Sequence, residues 1–93
     1  MINNDVEDNE NTQEMRISSA YGKLRREMTL SVGKTYIIKP LNVRKTKNRD
    51  RQCTILDFVP VSEYHPNDIV AKVRYLDNNR IGRAELEDLA NLD

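Results

Sequence analysis

The sequence has no tryptophan, one phenylalanine and four tyrosines, so a buried core must be assembled from isoleucine, valine and leucine. A chain of 93 residues buries only a modest fraction of its surface. Together these facts argue for one thin core in one small domain, with little room for the deep clefts that enzymes use. Cysteine is nearly absent. Cys53 alone excludes an internal disulfide and any multi-cysteine metal site, and it suits a reducing compartment, with the cytoplasm as the expectation. No apolar run approaches the length of a membrane span, and "MINNDVEDNE" carries acids where a signal peptide would carry lysine or arginine. Neither export nor membrane insertion is expected.

An excess of charge of one sign is also missing, since fifteen Lys and Arg face fifteen Asp and Glu. The balance is global and not local. Residues 1–14 carry five acids (Asp5, Glu7, Asp8, Glu10, Glu14) and no Lys or Arg. Residues 34–51 carry seven basic residues (Lys34, Lys39, Arg44, Lys45, Lys47, Arg49, Arg51) against the single acid Asp50. The chain from residue 52 onward is acidic again, because Lys72, Arg74, Arg80 and Arg83 face eight carboxylates. A basic middle therefore lies between an acidic head and a mildly acidic tail.

"MINNDVEDNENT" (1–12) is poor in apolar residues and rich in Asn and acid, and it reads as a disordered acidic tail. From residue 13 to 28, Ile17, Tyr21, Leu24 and Met28 are spaced 4, 3 and 4 apart, which predicts an amphipathic helix of about four turns. Thereafter the period becomes extended. "KTYIIK" (34–39) and "QCTILDFV" (52–59) are β-branched and aromatic runs that end at Pro40 and Pro60. In "IVAKVRYL" (69–76), Ile69, Ala71, Val73 and Tyr75 alternate with Lys72 and Arg74, the pattern of a strand with one buried and one wet face. "DNNR" (77–80) predicts a tight hairpin to a short strand at "RIGRA", and Leu86, Leu89 and Leu92 fit one closing turn of helix or 3₁₀ helix.

Four short strands, a long loop between the first two, a tight third hairpin and a closing Asp-Leu turn make the plan of a mainly β, SH3-like small barrel of four to five antiparallel strands over residues 29–93. The stretch "VRYLDNNRIGRAELEDL" (73–89) resembles the corresponding part of Tudor-type barrels, with Tyr75 and Asp77 matching the aromatic and the hairpin acid. In general character the chain also resembles short proteins encoded by phages and plasmids. The Tudor resemblance implies a binding module without catalysis, for methylated side chains, nucleic acid or other proteins. An aromatic cage for a methylated cation would have to come from Tyr36, Phe58, Tyr64 and Tyr75, and the strand pattern places Tyr75 on the core side.

The residues that carry chemistry elsewhere do not combine here. Cys53 lies inside an apolar strand and His65 in a turn before Pro66, which reads as an inert thiol and a loop residue and not a nucleophile with its base. No metal-ligand spacing and no cofactor motif is present. "SVGKT" (31–35) ends like a phosphate-binding loop but lacks the earlier glycine and precedes a strand, so nucleotide hydrolysis is not expected.

The basic run remains. Arg44, Lys45, Lys47, Arg49 and Arg51 are the candidate phosphate contacts, with Lys72, Arg74, Arg80 and Arg83 in support, and the partner expected is DNA or RNA held with weak sequence preference. The competing expectation is a protein-interaction module that regulates or inhibits a larger partner. Its contacts would be the Ile17, Tyr21, Leu24 and Met28 stripe or the acidic head, which could instead lie over the basic loop.

Overall fold

The computed structural model describes residues 13–92, and the acidic tail predicted over 1–12 lies outside them. The described chain is mainly β. It contains β1 (Glu14–Tyr21), β2 (Leu24–Ser31), β3 (Thr35–Ile38), β4 (Gln52–Ser62), β5 (His65–Tyr75) and β6 (Ile81–Ala84), then a 3₁₀ turn (Leu86–Asp88) and β7 (Leu89–Ala90). β1 and β2 form a two-stranded antiparallel sheet, and the others form an antiparallel sheet in the order β6-β5-β4-β3-β7. Among the described residues there is no α-helix, and no helix long and apolar enough to cross a membrane.

The helix expected over 13–28 is therefore a β-hairpin, and the reason the spacing misleads is geometric. Tyr21 pairs with Leu24 and Ile17 with Met28 across a two-residue turn, so residues spaced 4, 3 and 4 share one face of a hairpin just as they would share one face of a helix. Gly22 opens that turn with φ 59°, a conformation glycine adopts without a Cβ penalty and the one a type II′ hairpin turn needs at this position. Alternation was present in "MRISSAY", but Ser19 and Arg26 interrupt its apolar face. They pair with each other, and both donate to the Glu87 carbonyl, at 3.1 and 3.0 Å, which fastens the hairpin to the 3₁₀ turn.

The core lies between the hairpin and the inner face of the five-stranded sheet. Met28 and Leu30 of β2 meet Tyr36 and Ile38 of β3, Cys53 and Ile55 of β4, Ala71, Val73 and Tyr75 of β5, Ala84 of β6 and Leu89 of β7. Ile17, Val32, Phe58 and Leu86 pack around it. Tyr36 is fully buried because its hydroxyl has a partner, the Ser31 N–H, which donates at 2.7 Å. The strands expected at 34–39, 52–59 and 69–76, the hairpin at 77–80 and the closing turn all form, with β4 and β5 running further than their apolar stretches into a projecting hairpin. Register shifts on β4 between Ile55 and Asp57 and between Pro60 and Ser62 bend this ribbon, as β-bulges do.

Candidate nucleic-acid interface

Residues 39–51, between β3 and β4, are held in a series of turns. Lys45 N–H donates to the Asn42 carbonyl, Arg49 N–H to Thr46, Arg51 N–H to Asn48 and Asp50 N–H to Ile38. Asn48 and Asp50 take φ 61° and 70°, in the left-handed region that Asn and Asp tolerate best among residues with a side chain. The loop reads as polar in sequence but is well braced in structure.

Most of its cations make those braces. Arg49 has no carboxylate partner among the described residues; it donates to three main-chain carbonyls, Lys45 at 3.2 Å, Pro40 at 2.8 Å and Asn42 at 2.9 Å, and so gathers the two ends of the loop. Arg51 forms a two-pronged pair with Asp77, both contacts 2.8 Å, donates to Asn48 Oδ1 at 2.7 Å and lies over the Tyr75 ring at 3.8 Å from its centroid. The pair raises the Arg51 pKa and holds the Asp77 carboxyl below its ordinary value. Lys45 Nζ sits 2.7 Å from both Asp88 Oδ2 and Glu85 Oε1, and Asp88 is the better buried of the two carboxylates, its side chain only 12% exposed. Its hydrogen bonds to Asp88 first and Glu85 second push the Lys45 ammonium well above its usual range. Lys39 binds Asp50 at 2.9 Å and lowers that carboxyl in the same way.

Of the five loop residues singled out from sequence, Lys45, Arg49 and Arg51 are thus turned onto the protein itself, whereas Arg44 and Lys47 are exposed and have no ion-pair partner among the described residues. The second group is arranged differently. Lys72 pairs across the sheet with Arg83, and Arg74 with Ile81, which sets Lys72, Arg74 and Arg83 on the outer face of β5 and β6. Arg80 is exposed at the hairpin that joins these strands. Arg74 donates to the Asn79 carbonyl at 3.3 Å and Arg83 to the Val61 carbonyl at 2.9 Å, but none of the four takes part in an ion pair among the described residues. Asp57 stands opposite Lys72, and its Oδ1 accepts the Phe58 N–H.

The other candidates sort as follows. Glu85, Glu87 and Asp88 bring carboxylate oxygens within 4.8 Å of one another, and the Lys45 ammonium already bonds two of the three. Tyr36 and Tyr75 are buried, Phe58 packs on the core and Tyr64 stands 83% exposed at the β4–β5 turn, so the four rings do not line a common space. The position above Tyr75 is filled by Arg51. Cys53 is fully buried and its thiol is pushed up to about 11 by burial, which keeps it protonated at neutral pH. Of the stripe proposed for a protein partner, Met28 is in the core and Ile17 packs on it, while Tyr21 and Leu24 remain 50% exposed at the hairpin tip. That tip borders an open groove of about 260 Å³ between Ser18–Tyr21 and Pro40–Asn42, with Lys45 and Asp88 also lining it.

Compared with models of known families, with curated proteins and with solved structures, the chain matches none.

Proposed function

We propose that this protein is a non-enzymatic, SH3-like (Tudor-type) small barrel of the cytoplasm that binds the phosphate backbone of nucleic acid. The binding surface is the outer face of β5 and β6. Lys72, Arg74, Arg80 and Arg83 make the main contacts, and the exposed loop residues Arg44 and Lys47 add to them. The observation that carries this reading is the contrast between the two basic groups: Lys39, Lys45 and Arg51 of the loop are paired with carboxylates and Arg49 is bonded to main-chain carbonyls, whereas Lys72, Arg74, Arg80 and Arg83 have no partner of opposite charge among the described residues. The long 39–51 loop between β3 and β4, the tight β5–β6 hairpin and the 3₁₀ turn before β7 support the barrel assignment.

A cationic sheet face next to exposed Ile81 and Leu76 suits a backbone tracked by charge. Each phosphate neutralised releases counterions, so affinity falls steeply with salt. Fluorescence anisotropy with short labelled DNA and RNA tests this. The triple variant Lys72→Glu/Arg74→Glu/Arg83→Glu should lose binding and flatten the plot of log affinity against log salt by roughly two to three units. The pair Arg44→Ala/Lys47→Ala should lose less. Absence of binding by the wild type at low salt would sink the reading.

A second reading, a protein-interaction module, is favoured by one observation, the half-exposed Tyr21 and Leu24 beside the groove at Pro40–Asn42. The variant Tyr21→Ala/Leu24→Ala leaves the core intact and would release a partner that binds there, with no effect on nucleic acid.

A further inference from the structure

We propose that the acidic segment 1–12 docks on the outer face of β5 and β6 and competes there with the nucleic-acid backbone. Three observations select this occupant and this place. The first is charge. Asp5, Glu7, Asp8 and Glu10 are the only charged side chains of the segment, and the face offers Lys72, Arg74, Arg80 and Arg83 without an ion pair among the described residues. In the loop, which sequence alone made the obvious cover for an acidic head, Lys39, Lys45 and Arg51 are already paired with Asp50, Asp77, Glu85 and Asp88 and Arg49 is turned onto main-chain carbonyls, which leaves Arg44 and Lys47.

The second is position. The described chain starts at Gln13, whose carbonyl accepts the Val32 N–H, and the next residue, Gly33, donates to the Ile55 carbonyl on β4. β5 and β6 are the next two strands of the sheet, at about 4.8 Å each. Twelve residues span up to about 40 Å when extended, so the segment reaches Arg83 with length to spare. The third is cover. The β1–β2 hairpin closes the inner face of the sheet, and on the outer face Lys72, Arg83, Ile81 and Leu76 stay exposed. Ile2 and Val6, the segment's apolar residues after Met1, match the two apolar ones of the face.

The competitive role rests on the phosphate-binding reading; the docking does not, and separate measurements read the two. Because Cys53 is buried, the full chain carrying Asn4→Cys takes a nitroxide label at one site. At about 50 mM salt the label should broaden the amide signals of Lys72, Arg74, Ile81 and Arg83, and at about 0.5 M salt the effect should vanish. Broadening spread evenly over the surface, confined to the neighbours of Gln13, or unchanged in Lys72→Gln/Arg83→Gln, overturns the docking. In the full chain with Asp5→Asn/Glu7→Gln/Asp8→Asn/Glu10→Gln, affinity for oligonucleotides should rise roughly three- to tenfold at low salt, the size expected when a tethered competitor is removed. Localised broadening with no nucleic-acid binding by either protein keeps the docking and removes the phosphate reading. Equal affinity of both proteins overturns the competition.

Discussion

Replacing Arg49 with alanine separates a brace from a ligand contact. The side chain donates three hydrogen bonds to main-chain carbonyls and forms no ion pair among the described residues, so its removal leaves Pro40, Asn42 and Lys45 carbonyls to water. Each such bond contributes about 0.5–1.5 kcal/mol net, and partial exposure of the site favours the low end, for a total near 2 kcal/mol. A domain of this length has a stability of roughly 5–14 kcal/mol, so the loss is a sizeable fraction of the whole. At about 4–8 °C per kcal/mol, thermal unfolding followed by circular dichroism should move down by roughly 8–16 °C. Lys47→Ala, at an exposed position of the same loop, should move it by no more than about 2 °C. Oligonucleotide binding, measured well below both transitions, should suffer more from Arg83→Ala than from Arg49→Ala. An Arg49→Ala protein that melts with the wild type and binds as poorly as Arg83→Ala would refute the assignment of this residue to the loop's own architecture.

Two other outcomes follow from the same geometry. Asp77 and Asp50 have folded values held below their ordinary 3.8 by Arg51 and Lys39, so the stability they contribute is present above that value and is lost as pH falls through the lowered ones. Melting temperature should therefore drop as pH falls below the ordinary carboxylate range, and Asp77→Asn should show a smaller drop than the wild type; parallel curves would remove Asp77 from the account. Gly82 lies against the Tyr75 ring, where an added Cβ would come 2.8 Å from Cε2. With Arg51 over that ring, Gly82→Ala should cost about 1–3 kcal/mol in denaturant titration, and a cost near zero would mean that the ring moves aside freely.

Where one face was buried and the other wet, the sequence was legible. The alternation of Ile69 to Tyr75 placed β5 and its outward Lys72 and Arg74, and Pro40 marked the end of β3. The hairpin of β1 and β2 was hidden because an inward Ser19 and Arg26 break its apolar face, and because a two-residue turn reproduces helical spacing. Those two polar residues make sense only once the Glu87 carbonyl, far along the chain, is in place to receive them. The bracing of the loop was hidden for a related reason. Its charge was counted within a window, while its partners Asp77, Glu85 and Asp88 belong to the mildly acidic stretch after residue 52. The uneven distribution of charge along a neutral chain was itself the signal that one stretch would neutralise the other.

The Glu87 carbonyl has a consequence for how the protein is made. It ties Ser19 of the first strand to the last turn, 68 residues apart, and Lys39 N–H is likewise bonded to the Asp88 carbonyl. While the chain is still being synthesised, the β1–β2 ribbon has nothing to close against, since an isolated two-stranded hairpin is only marginally stable in water. Met28 and Leu30 gain their cover only as β3, β4 and β5 emerge, and Leu89 of β7 completes the core. Pairs of neighbouring strands, such as β4–β5 and β5–β6, can form as they emerge, whereas the β3–β7 pairing and the bonds to the Glu87 and Asp88 carbonyls wait for the end, so a ribosome stalled before Asp88 would hold a chain with its hairpins available and its closing contacts missing.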